Sequence, residues 1–270
     1  MTCVWAWADL GNHALQTYNI RQYWLIMSVL SIKKFNPEYK RVFFVDQTTY
    51  DFLYSKDWIS LWDEVKIIDF TNTEYGDLYK IQLYSWPKIY SYGLVDDDIL
   101  MLDIDIVFTN TFNIIDKNRL GGKIYDHIND FLVNCTPPVA NLSYKWEQLE
   151  NIQNNIHYPD KFRKLTQVDQ CVVGAPIYCP KKLSKEIQHI LNHIIYVENI
   201  YGGLLPNDTH CELEEEWLIA QIGHNNGGIW EVDDSKYKHG YTSQASYNIN
   251  NGWDAPENIL NEQVFEKYIK

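Results

Sequence analysis

Over the first 110 residues, short strand-like runs alternate with segments of helical periodicity, and that alternation restricts the fold more than any other property of the chain. The runs at 4–8, 41–46, 64–70 and 99–102 are short and rich in apolar residues, as expected of strands covered on both faces. Between the first two, Ile20, Tyr23, Trp24, Met27, Leu30 and Ser31 fall on one helical stripe, and Asn36-Pro37 ends it. A short helical stretch follows at 50–55. Residues 79–92 also carry a helical pattern, which Pro87 is expected to kink or divide. Strands alternating with helices in this way specify an α/β fold: a Rossmann-type, mostly parallel central sheet with helices on both faces. The second half is less regular. Short strands are expected at 123–125 and 131–134, helices at 143–155, 181–197 and 212–222, and an apolar segment spans 170–179. Asp254-Ala-Pro-Glu257 has the form of a capped start to a C-terminal helix. No repeat or linker interrupts the chain, so residues 1–270 are expected to form one domain with a regular half, 1–110, and a less regular half, 111–270.

The last of the four runs carries the chemistry. Residues 98–108, Asp-Ile-Leu-Met-Leu-Asp-Ile-Asp-Ile-Val-Phe, place Asp103 and Asp105 among apolar neighbours. A carboxylate in a low-dielectric interior takes up a proton unless a cation or a solvated pocket compensates it. At spacing i, i+2 both side chains leave the same face of an extended chain, so one divalent ion suits the pair. Ligands of open α/β sheets also collect at the carboxyl ends of the strands. Taken alone, the triplet equally fits the polar end of a buried strand pointing into water. Asp96-Asp97-Asp98, ahead of the run, is most simply a solvated turn.

A formal charge of −13 and no basic stripe argue against a nucleic-acid partner, and any phosphate-bearing substrate would need a metal to screen it. The 10 Trp and 20 Tyr suit a packed core and an aromatic-lined sugar cleft alike. Five cysteines, Cys3, Cys135, Cys171, Cys179 and Cys211, lack CxxC spacing and fit buried thiols of a reducing compartment. No secretory leader or membrane-spanning run is visible, which points to a cytoplasmic protein and makes the sequons at Asn141 and Asn207 chance occurrences.

Three pieces of sequence together resemble the GT-A-fold nucleotide-sugar glycosyltransferases, the glycogenin-like branch above all. They are Tyr79-Lys-Ile-Gln-Leu-Tyr-Ser-Trp86, Leu100-Met-Leu-Asp-Ile-Asp-Ile-Val107 and Val168-Asp-Gln-Cys-Val-Val173. The resemblance implies that the first half binds the nucleotide, that the second half forms the acceptor side, and that Asp103 and Asp105 hold Mn²⁺ or Mg²⁺ against the diphosphate of a UDP-sugar, Asp103 also lying near the ribose. It implies a histidine as third metal ligand, for which His224 and His239 both stand as candidates, with Lys236 and Lys238 beside His239. Lys80 is the basic candidate for the donor site and Asp46 a contact for uracil or ribose, with residues 4–7 beneath or beside the base. Asp169 and Gln170 resemble the reaction-centre pair: a carboxylate to receive the acceptor hydroxyl's proton and a carboxamide at the face of the sugar. Of the acidic run Glu212, Glu214, Glu215 and Glu216, most is expected to be solvated helix face, with one or two residues able to look into a cleft. The stereochemical lean is towards retention.

The expectation is therefore a metal-dependent, hexosyltransferase-like enzyme that moves a sugar from a nucleoside diphosphate donor to a glycan or other hydroxyl acceptor. A nucleotidyltransferase sharing the α/β layout would call for a Gly-rich N-terminal loop, and the start of this chain has only Gly11. A non-catalytic carbohydrate-binding protein is the remaining alternative. Donor sugar, acceptor, linkage and oligomeric state are not encoded in any motif, and acceptor contacts are expected within 135–165 and 198–252.

Overall fold

The computed structural model describes residues 1–9, 15, 19–81, 85–125, 171–172, 175–201, 208–239, 260–261 and 265. The strands expected at 131–134, the helix at 143–155, both sequons, most of the C-terminal helix and the pair Asp169-Gln170 lie outside them.

The first half alternates as its sequence demands. Strand β1 (Thr2–Trp7) leads through residues 8–18 to helix α1 (Asn19–Phe35), then β2 (Lys40–Val45), α2 (Gln47–Ser55), β3 (Glu64–Ile67), α3 (Trp86–Tyr92) and β4 (Ile99–Met101). Strands β1 to β4 are mutually parallel in the order β3-β2-β1-β4, with Val4 beside Val42 on one side and beside Met101 on the other. That order reverses the direction of strand progression between β1 and β4. In open parallel sheets such a reversal splays the two adjoining loops apart and opens a crevice at the carboxyl ends of the strands.

The second half completes the sheet. After β4 the chain forms β5 (Ile106–Phe108), β6 (Leu120–Gly122), β7 (Ile124–Tyr125), β8 (Cys171–Val172) and β9 (Ile177–Cys179). Helices α4 (Lys181–Gln188), α5 (Ile190–Tyr201) and α6 (Asp208–Asn225) follow, then β10 (Ile229–Glu231) and β11 (Tyr237–His239). The central sheet has seven strands in the order β10-β6-β9-β4-β1-β2-β3, and β9 alone runs antiparallel to its neighbours. The other two strand pairs, β5 with β11 and β7 with β8, are separate antiparallel ribbons.

Side chains of alternate residues feed two cores. Val4, Val42, Phe44, Ile99 and Met101 face the layer of α3, α4, α5 and α6, while Cys3, Trp5, Phe43, Val45, Leu100 and Leu102 face α1 and the β5 ribbon. Full burial of both faces explains the near-continuous apolar runs. Cys3 and Cys179 are buried free thiols, and burial pushes both well above the ordinary thiol range, which leaves them inert packing groups.

Of the two outcomes expected at Pro87, a kink or a division of the 79–92 pattern, the structure shows the division. Pro87 sits in the first turn of α3, where a missing N–H costs nothing, so it starts the helix instead of bending one. The preceding residues, Gly76–Ile81, form a separate 3-10 helix.

Leu100 is fully buried on the central strand, whereas Ile67 at the edge strand is exposed. Leu100→Ala is expected to cost about 2–5 kcal/mol in urea denaturation. Ile67→Ala should stay within about 0.5 kcal/mol of the parent.

Candidate functional site

The Asp pair lies at the carboxyl end of β4, at the β1/β4 switch point. Its geometry differs from the extended run expected. The chain leaves the sheet after Leu102, whose N–H donates to the carbonyl of Val4, and turns tightly so that the Ile106 N–H donates to the Asp103 carbonyl at 3.3 Å. A turn, not a shared strand face, brings the two carboxylates to one corner. It also gives them different surroundings: the Asp103 side chain is 37% exposed, while Asp105 is 6% exposed.

Lys88 Nζ lies 3.1 Å from Asp103 Oδ1 and is itself 11% exposed. The sequence reading pointed to Lys80 for this part of the site. The backbone of Lys80 belongs to the 3-10 helix, and the lysine seen at Asp103 is Lys88. The signal was present. Ser-Trp-Pro at 85–87 marks a helix start, and a helix that precedes a parallel strand begins at that strand's carboxyl edge. A lysine in its first turn is thereby delivered to Asp103.

The two candidate histidines separate on topology. Strand β11 pairs antiparallel with β5, and its register sets His239 opposite Ile106, the residue after Asp105. Cα atoms of directly opposed residues lie about 4.5–5.5 Å apart. His239 is mostly enclosed, and burial lowers its pKa from the ordinary histidine value, against the field of Asp103, which raises it, and with that of Lys123, which lowers it. The imidazole is thus held neutral, the form that offers a lone pair to a metal. His224 is not brought to the pair. It lies in the last turn of α6, just ahead of β10, and β10 runs in the same direction as β4 through β6 and β9. The start of β10 therefore sits at the amino edge of the sheet, opposite the Asp103 corner.

Lys123, just past the end of β6, has its Nζ 3.0 Å from Asp234. Lys236 lies 3.8 Å from Asp233, and Lys238 is exposed on β11. Asp46 is at the carboxyl end of β2, but both its oxygens accept backbone N–H groups at 2.9 Å, from Thr49 in the first turn of α2 and from Asp9 after β1. A helix cap that also ties down the loop after β1 accounts for Asp46 without a nucleotide. Trp5 is core, its indole N–H donating to Ser28 Oγ at 2.9 Å, whereas Trp7 is half-buried with the Arg21 guanidinium 5.4 Å from its ring centre. In the acidic run, Glu216 is buried, because α6 is enclosed on every side from Glu216 to Ile219, with Trp217, Leu218 and Ile219 all buried.

Among the described residues, which include Asp103, Asp105 and His239, no three His, Cys, Asp or Glu side chains form a group that could hold a metal ion. An ion of the Mg²⁺ kind is commonly held by one or two carboxylates with substrate phosphates completing its shell, which is the donor type that Asp103 and Asp105 offer. No described helix is long and apolar enough to cross a membrane.

Two outcomes follow from the local chemistry. Asp46→Ala removes the α2 cap and is expected to cost about 1 kcal/mol in denaturant melts. Because His239 is harder to protonate folded than unfolded, the unfolded chain binds more protons as pH falls through the ordinary histidine value towards the lower folded one. Its contribution to stability is therefore flat above that ordinary value and falls on acidification, and His239→Asn should reduce the loss in denaturant midpoints measured across that range.

No family model matches the chain, and no curated protein does either. Several solved structures resemble it loosely in shape. One is a galactosyltransferase, LgtC, in complex with donor and acceptor sugar analogs, at 15% identity and a TM-score of 0.44, covering 86% of this chain and 73% of that one. Another is the PaToxG glycosyltransferase, at 12% identity and a TM-score of 0.45, covering 83% and 68%. A third is mouse xyloside xylosyltransferase 1 in its apo form, at 12% identity and a TM-score of 0.44, covering 86% and 84%. These likenesses carry no residue role over to this chain.

Proposed function

We propose that the protein is a metal-assisted glycosyltransferase of the GT-A kind, which transfers a sugar from a nucleoside diphosphate donor, a UDP-sugar in the first instance, to a hydroxyl acceptor. The observation that carries this reading is the placement of Asp103 and Asp105 at the β1/β4 switch point, with His239 delivered beside them by the β5–β11 register. Asp103 and Asp105 would hold Mn²⁺ or Mg²⁺ with donor phosphates completing the shell, and His239 stands near them on β11 as the candidate third ligand. When bound, such an ion stabilises the charge that develops on the departing diphosphate.

The chain's own groups supply the rest. Lys88 donates to one oxygen of Asp103 and so orients the carboxylate towards the crevice. As the bond from the anomeric carbon to the diphosphate oxygen breaks, a bond from that carbon to the acceptor oxygen forms. In the proposed roles Asp169 receives the acceptor's proton and Gln170 lies at the sugar face. Retention at the anomeric carbon is the expected outcome, checked by the anomer of the product in NMR.

Calorimetry tests the donor site. The parent should bind UDP in the presence of Mn²⁺, the double variant Asp103→Asn, Asp105→Asn should lose that binding, and Lys88→Met should weaken it about tenfold, or ~1.4 kcal/mol. No affinity for any nucleoside diphosphate, or a double variant that binds unchanged, sinks the reading. Slow Mn²⁺-dependent release of free sugar from the donor separates an enzyme from a carbohydrate-binding protein.

A further inference from the structure

Strand β5 is the hinge piece of the corner, since it follows Asp105 directly and presents Ile106 to His239. Among the described residues it has a strand on one side only, in a ribbon of β5 and β11. Its backbone must find hydrogen-bond partners on the other side or leave buried polar groups unmade, at roughly 1–3 kcal/mol each. Helix α1 packs against β5, and its Ser31 supplies one such partner from a side chain. Ser31 Oγ accepts the Phe108 N–H at 3.0 Å and donates to the Ser28 carbonyl at 2.7 Å, which fixes the hydroxyl's direction. Four residues on from Phe108, the Phe112 N–H donates to Asn36 Oδ1 at 2.9 Å. Ser28, Ser31 and Asn36 are all fully buried, a costly position that the bonds made by Ser28 Oγ, Ser31 Oγ and Asn36 Oδ1 offset. Ser28 is tied in turn to Trp5 of β1.

We infer that Ser31, with Asn36 behind it, is a positioning residue for the carboxylate pair. Helix α1 acts as a surrogate strand: it holds β5 at a fixed depth against β1 and so sets both the Asp103–Asp105 turn and the approach of His239. A helix stripe that reads as mere packing thus carries a polar row whose product is the geometry of the site 70 residues further along the chain. The inference rests on the donor reading proposed above.

The test compares Ser31→Ala with Ile32→Val, a neighbouring core change on the same helix, and with Ser31→Thr, which keeps the acceptor oxygen. Two quantities are read on the full chain: the Kd for UDP with Mn²⁺ by calorimetry, and hydrogen exchange of the amides at 106–108 and 237–239. Ser31→Ala should raise the Kd about tenfold and speed exchange in the β5–β11 ribbon, while β1 and β2 stay protected. Ile32→Val, at a similar loss of thermal stability, should leave both readouts within about twofold of the parent, and Ser31→Thr should restore binding. If Ser31→Ala does not fold, Asn36→Ala is measured in its place with the same expectation. A parent that binds together with a Ser31→Ala that binds equally, or no more weakly than Ile32→Val, overturns the inference alone. A parent with no affinity for UDP and Mn²⁺ overturns the donor reading, and the inference with it.

Discussion

The parallel pairing of β1 with β4 is the contact on which the rest of the structure depends. Three register pairs, from Thr2 beside Ile99 to Val4 beside Met101, and the Leu102 N–H on the Val4 carbonyl hold two segments almost a hundred residues apart. Because β2 and β3 continue from the other side of β1, this single junction creates the switch point, and with it the crevice that receives Trp7, Asp9, Asp103 and Asp105 at its rim. Trp5, Leu100 and Phe43, buried without remainder on the α1 face of the sheet, give the junction an apolar seat that resists slippage by one residue, since a slip would turn every side chain to the wrong core.

From that junction the chain makes its functional move, which is to stop being a strand. Leaving the sheet at Asp103 exposes one carboxylate, buries the next, and releases β5 to form its own ribbon. The energetic consequence is a set of charges near apolar walls, where Coulomb interactions are stronger than in water. Lys88 answers Asp103, and His239 is held neutral by its burial. Under the proposed function this corner takes a cation and an anionic ligand together, in a chain whose overall charge of −13 would otherwise repel the anion.

Particular residues show how far the sequence could be read. The strand runs, the α1 stripe and the Asp pair were legible because full burial and helical periodicity leave patterns in local sequence. Pro87 could kink or divide the pattern, since the same proline that breaks a helix interior is favoured in a first turn, and the start of α3 at Trp86 shows that it divides it. The choice between His224 and His239 was not legible at all. Both are histidines next to glycines in a late segment, and what separates them is strand direction and register, neither of which local sequence encodes. Asp46 is a similar case: its position at a strand end suggested a ligand contact, yet the partners of its two oxygens are the backbone groups of its own neighbourhood.

By itself, then, the sequence determined the α/β class, the central placement of the strand leading to Asp103 and the types of residue able to meet a metal, because hydrophobic burial acts on near neighbours and writes its period into the chain. Tertiary structure alone decided which residues meet. The Lys88 contact, the arrival of His239 through β11 and the bonds from Ser31 to β5 and from Asn36 to Phe112 beyond it all join separate elements, and such contacts are selected by the packing of completed elements, not by any pattern that a single element carries.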